Sequence, residues 1–180
     1  MHLYHAFKSN TNRNLHRKLR KIYLEKSLEG VGNDYYFAVD ALYTYINCQM
    51  KMYLFGDARD PTINTLLASK LATNLYDVIH YNIMRLDTEY LSKLALSISL
   101  IRNDYFRDML ARIQTATLQK LDKVDSFQLA TIIYAFSKCN NGRSDGKQKF
   151  WEGLVPSVKK FWNEFDDIDK SRIFYAYAYR

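Results

Sequence analysis

The segment Gly142-Arg143-Ser144-Asp145-Gly146-Lys147 is the closest approach in this chain to a phosphate-binding loop. Its two glycines stand one residue too close together, Gln148 occupies the place where a Ser or Thr would hold a metal ion, and no strand pattern precedes it. A loop that ends one helix and precedes the next explains it better, with Arg143, Lys147 and Lys149 left as surface cations able to touch phosphate. The histidines His2, His5, His16 and His80 are scattered, with no acid or cysteine at ligand spacing, and Cys48 and Cys139 belong to no CxxC pair. Asp166, Asp167 and Asp169 form the densest acidic run, but they sit at a helix start, where N-capping and the helix dipole account for them. No catalytic constellation, metal site or cofactor is expected, so the sequence reads as a binding and scaffolding module rather than an enzyme.

Charge is the sharper signal. The formal net charge is +7, yet Lys8, Arg13, Arg17, Lys18, Arg20 and Lys21 stand in residues 1–24 with no acid among them, so this stretch alone carries six of those charges. From residue 12 to 24 an apolar stripe of Leu15, Leu19 and Ile22 opposes Arg13, Arg17 and Arg20, which makes a basic amphipathic helix. Three uses fit such an arm: mitochondrial targeting, contact with nucleic-acid phosphates, or adhesion to an anionic membrane surface. Residues 25–180 are nearly neutral and form the body.

The elements that would position these groups are helices. With 48% apolar and 25% charged residues, only 6 Gly and 2 Pro, the composition suits one globular domain of long helices joined by short loops. Charged residues interrupt every apolar run before it reaches a membrane-spanning length, so no integral membrane insertion is expected. High aromatic content, 15% with 15 Tyr, falls mostly at core spacing, and any exposed tyrosine is a surface on which a base can stack.

An internal repeat organises the body. Ile132, Tyr134, Ala135 and Phe136 align with Ile173, Tyr175, Ala176 and Tyr177 at an offset of 41, and Leu94, Ser97 and Ile98 align with Ile132, Ala135 and Phe136 at an offset of 38. A further copy places Tyr43, Thr44, Tyr45 and Cys48 under Tyr134, Ala135, Phe136 and Cys139. The small position (Thr44, Ser97, Ala135, Ala176) admits close approach of a neighbouring helix. Asp34, Asp87, Asp125 and Asp166 or Asp167 precede these helices as caps, Asp125 with Gln128 forming a capping box.

A first helix is expected before each capped one: residues 12–28; a segment from Asp60-Pro61 to about Leu86; Tyr105 to Leu121; and Phe150 to Phe165, with Pro156 kinking or splitting the last. Loops are expected near residues 30–33, 54–60 and 140–147. The expected architecture is therefore all-α, an α-solenoid of about four stacked hairpins with a basic N-terminal arm, eight helices in all. Its last helix carries Phe174, Tyr177 and Tyr179 with no stop signal before Arg180, which predicts that another molecule, or a further repeat beyond this sequence, lies against residues 171–180.

The pattern LATIIYAFSKC and SRIFYAYAYR, each after an Asp cap, with Trp151 and Leu154 opening the preceding helix, resembles the heptatricopeptide and octotricopeptide repeat families. The resemblance is closest over residues 104–180; the earlier hairpins depart from it through an insertion around residues 51–60. It implies an organellar helical-repeat protein of the mitochondrial matrix, associated with RNA, most simply with ribosomal RNA and the neighbouring proteins of a mitochondrial ribosome. A protein-only scaffold, such as an accessory subunit of a respiratory or import complex, is the alternative expectation.

Overall fold

The computed structural model describes residues 22, 26, 34–53, 70–100, 108–139 and 145–178, without the side chains of residues 45, 47–53, 70–74 and 145–147. Seven helices and no strand occur among the described residues: α1 (Tyr35–Tyr53), α2 (Lys70–Asn82), α3 (Thr88–Leu100), α4 (Asp108–Gln119), α5 (Ser126–Lys138), α6 (Asp145–Lys160) and α7 (Asp167–Ala178). Single 3₁₀ turns, Ile83–Arg85 and Leu121–Lys123, end α2 and α4. The chain divides into two units, residues 1–79 and 80–180.

The four aspartates act as the sequence predicts. Asp34 Oδ1 accepts the Phe37 N–H at 3.0 Å, Asp87 Oδ1 that of Tyr90 at 3.0 Å, Asp125 Oδ1 that of Gln128 at 2.7 Å and Asp166 Oδ1 that of Asp169 at 2.7 Å. Each satisfies one of the orphan donors at a helix start. Gln128 returns the bond by accepting the Asp125 N–H at 3.4 Å, which completes the capping box. Of the two candidates before the last helix, Asp166 is the cap and Asp167 the first helical residue.

In the first unit, Ala38, Val39, Ala41, Leu42 and Ile46 give α1 a buried stripe, and Leu75 and Ile79 do the same for α2. In the second unit, α3 packs on α5 and α5 on α7, while α4 packs against α3, α6 and the 3₁₀ turn after α2. Flanked by helices on two sides, α5 buries Leu129, Ala130, Ile132, Ile133, Ala135, Phe136 and Ser137, nearly its whole circumference. Full burial of its aliphatic side chains supplies about 1.5 to 3 kcal/mol each. An aromatic chain joins α5 to α6 and α7: Phe136 to Phe150 at 4.7 Å between ring centroids, Phe150 to Trp151 at 5.7 Å and Trp151 to Tyr177 at 5.3 Å. Helices α4 and α6 approach closely at Gly153, where an added Cβ would lie 2.7 Å from Leu118 Cδ2.

One expectation is corrected in α6. This helix begins at Asp145, five residues before the expected start, so Asp145, Gly146 and Lys147 are helical rather than loop, and it runs on through Pro156 to Lys160 unsplit. Proline removes the N–H that would bond the Glu152 carbonyl, and because both Pro156 and Glu152 are exposed, water can satisfy that carbonyl.

Thr117 is fully buried in α4, and its Oγ1 has no hydrogen-bond partner. A buried hydroxyl left in that state costs about 1 to 3 kcal/mol. Thr117→Val keeps the branched shape and removes the hydroxyl, so it is expected to stabilise the protein by about 1 kcal/mol in chemical denaturation. A destabilised variant would mean that the hydroxyl has a role in packing or hydration.

Candidate nucleic-acid interface

The sequence-derived candidates separate into three groups. Lys8, Arg13, Arg17, Lys18, Arg20, Lys21, Arg143 and Tyr179 lie outside the described residues. Within the arm's stripe only Ile22 is described, as helical and exposed. Lys147 is on the first turn of α6 and Lys149 is exposed one turn on; the two are part of a helix rather than a phosphate-cradling loop.

Phe174 and Tyr177, expected to meet a partner, behave differently from each other. Tyr177 is half-buried and donates its hydroxyl to the Trp151 carbonyl at 3.1 Å, so its polar end is engaged within the chain. Phe174 is 65% exposed and makes an edge contact to Trp162 at 5.5 Å.

A surface outside the sequence motifs joins α5 to α7. Tyr134 is half-buried on α5; the Arg172 guanidinium lies 4.7 Å from its ring centroid and Lys138 Nζ 5.2 Å. Lys138 Nζ also lies 5.5 Å from the ring of Tyr175, which is exposed on α7. Two rings at equivalent repeat positions are thus tied by cations from both helices, an arrangement favoured by the ring quadrupole. The signal was present in the alignment, since Tyr134 and Tyr175 match at the offset of 41 and Arg172 falls at the position of Thr131. On α3 the equivalent of Arg172 is Lys93, which lies 4.4 Å from the Tyr90 ring and pairs with Glu89 at 2.8 Å. Arg172 likewise pairs with Asp169 at 3.2 Å. Flat rings with adjacent cations offer the two kinds of contact a single-stranded nucleic acid uses, base stacking and phosphate pairing. Aromatic and arginine side chains are also what protein interfaces enrich.

Among the described residues the perturbed titrating group is Lys120, and its role is structural. Its ammonium donates to the Met84 carbonyl at 2.8 Å and to the Leu86 carbonyl, tying the end of α4 to the turn before α3. Desolvation pushes its pKa below the ordinary 10.5, the Lys123 charge adds to this and Asp87 opposes it. The unfolded chain therefore holds this proton more firmly, so the group works against folding below its folded value and ceases to do so as pH rises towards 10.5. Within the second unit, Arg112 Nη1 of α4 and His80 Nε2 are 3.3 Å apart.

Among the described residues no group of His, Cys, Asp and Glu could hold a metal ion, and no helix is long and apolar enough to cross a membrane. The described residues define an all-helical protein in which α1, α3, α5 and α7 are each capped by an aspartate. Comparison of the chain with protein-family models, with curated proteins and with solved structures finds no match.

Proposed function

We propose that this protein is an RNA-associated scaffold of a mitochondrial ribonucleoprotein, with ribosomal RNA and neighbouring proteins as its partners and no catalytic role. Its hairpins would stack as an α-solenoid, and the matrix of the mitochondrion is the proposed location. The observation that carries this reading is the segregation of charge: six of seven net positive charges fall in residues 1–24, free of any acid. Such an arm neutralises backbone phosphates and releases counterions, which gives affinity and orientation but little sequence selectivity. The paired rings Tyr134 and Tyr175, with Lys138 and Arg172 beside them, add a place on the body where unpaired bases can stack. The mechanism is positioning.

Crosslinking the protein to nucleic acid in its purified native assembly, then sequencing the attached fragments and mapping the peptides, tests this. Ribosomal RNA attached to residues 1–24 is the expected result; an assembly in which this chain carries no RNA would sink it. A second reading, a protein-only scaffold in a respiratory or import complex, is favoured by the mixed sign of the described surface, where Lys93 pairs with Glu89 and Arg172 with Asp169.

A further inference from the structure

Helices α5 and α7 share one exposed edge. The Arg172 guanidinium of α7 lies over the Tyr134 ring of α5, and Lys138 of α5 lies over the Tyr175 ring of α7, so the two helices run parallel with their N-terminal ends side by side. Phe127 precedes Tyr134 by seven residues and Ile168 precedes Tyr175 by seven, about two helical turns, so each apolar residue stands on the same stripe as the ring of its own helix. The offset of 41 relates Phe127 to Ile168 as it relates Tyr134 to Tyr175. Phe127 is 72% exposed and Ile168 61% exposed. Phe127 stays open although α7 packs on α5, so its exposure belongs to the edge itself and not to the lack of a following helix.

Carboxylates adjoin both residues. The stretches 121–127 and 163–169 hold Asp122, Asp125, Glu164, Asp166, Asp167 and Asp169 against the single cation Lys123. Asp125 and Asp166 cap their helices and Asp169 pairs with Arg172, which leaves Asp122, Glu164 and Asp167, all exposed. Such an edge repels phosphate, whether of RNA or of a lipid headgroup. It matches lysine and arginine, whose long stems cover apolar surface while their charged heads reach the acids. Within the chain α3 makes a contact of this kind: Lys93 Nζ lies 4.4 Å from the Tyr90 ring centroid and 2.8 Å from Glu89 Oε1, and Glu89 is the α3 equivalent of Phe127. We infer that the Phe127–Ile168 edge is a docking surface for a lysine- and arginine-rich segment of a neighbouring protein, with its stems laid across the two apolar residues and its cations on Asp122, Glu164 and Asp167. The inference rests on the scaffold reading and names the chemistry of its protein partner, apart from the RNA that this reading gives to residues 1–24.

Zero-length coupling of carboxylates to amines in the purified native assembly, mapped by mass spectrometry, tests this with the protein in place. Asp122, Glu164 or Asp167 is expected to couple to lysines of a neighbouring protein, in a segment where Lys and Arg outnumber Asp and Glu. That segment, made as a peptide, is expected to bind the full chain with an affinity that falls as salt rises. Phe127→Ser combined with Ile168→Ser should weaken this binding by about tenfold or more. Asp122→Asn, Glu164→Gln and Asp167→Asn together should flatten its salt dependence. Phe174→Ser, elsewhere on α7, should leave both unchanged. Circular dichroism checks that each variant is folded, and Phe127→Ser is read alone should the double variant unfold. Carboxylates that couple to no neighbour, or only to residues 1–24 of this chain or of a second copy, overturn the inference. So does RNA crosslinked at this edge, or peptide binding that every variant retains. RNA missing from residues 1–24 would count against the RNA reading alone, because the edge is scored by its protein attachments.

Discussion

Ala135→Leu is expected to destabilise the protein by about 1 to 3 kcal/mol, the usual penalty for forcing extra methylene groups into a packed helix crossing. Ala135 is 1% exposed on α5, which packs against both α3 and α7. The residues at the same repeat position, Ser97 and Ala176, are 1% exposed as well, so smallness at this site goes with burial in each of three successive helices. On α3, which packs on α5, Ser92, Ala95 and Ser97 are likewise small and buried, a composition that suits closely packed helices. Leucine would have to push α5 away from a neighbouring helix or leave its preferred rotamer, and either response disturbs Ile132 and Phe136 beside it. Thermal unfolding should register a lowered midpoint of about 2 to 4 °C for each kcal/mol lost in a chain of this size. Ala178→Leu, at an exposed position on α7, is the control and should change stability by no more than about 0.5 kcal/mol. An unchanged melting temperature for Ala135→Leu would mean that the crossing is elsewhere and that the alignment of the repeats has the wrong phase.

Much of the local structure was legible because it depends on short-range chemistry. A capping aspartate needs only its own helix, so Asp34, Asp87, Asp125 and Asp166 declare the starts of α1, α3, α5 and α7 from sequence, and Gln128 three residues after Asp125 declares the capping box. The large-x-x-small pattern, read as one face of a helix, falls on helices α3, α5 and α7, where its small members Ser97, Ala135 and Ala176 are buried. What the sequence does not carry is the outcome of competition between local and tertiary terms. Pro156 is a breaker by propensity, but its cost falls on one exposed turn of α6 and the helix persists. Lys120 is an ordinary lysine until the fold places the Met84 and Leu86 carbonyls around its ammonium. The Tyr134, Lys138, Arg172 and Tyr175 cluster depends on how α5 and α7 are aligned, because its rings and cations lie on different helices. Repeat equivalence put Tyr134 and Tyr175 in one row, but only packing sets which cation lies over which ring. The arm's own cations, Lys8 to Lys21, lie outside the described residues, and their role is carried by charge alone.

Deleting residues 1–24 is expected to produce the largest change in RNA binding of any alteration to this chain, and to change its salt dependence most of all. Six cations leave with the segment and no acid does, so the protein falls from a net charge of +7 to about +1. If those six each neutralise a phosphate, the slope of log K against log salt is about −4 on single strands and about −5 on duplex RNA. Between 50 and 200 mM salt that slope corresponds to a loss of about 10² to 10³ in affinity for the full chain. The truncated chain, left with near-balanced charge and with Lys93 and Arg172 already paired to Glu89 and Asp169, should bind weakly at 50 mM and lose little more at 200 mM. Fluorescence anisotropy with a labelled structured RNA and a labelled single strand, titrated at four salt concentrations, measures both slopes. Circular dichroism of the truncated chain guards against the trivial explanation that removing the arm unfolds the body. Tyr134→Ala and Tyr175→Ala separate the two surfaces: if bases stack there, these variants weaken binding to the single strand by about 1 to 3 kcal/mol per base while leaving the salt slope intact. A truncated chain whose slope equals that of the full chain would place the phosphate contacts on the body, and the arm would then be left with targeting or membrane adhesion as its function.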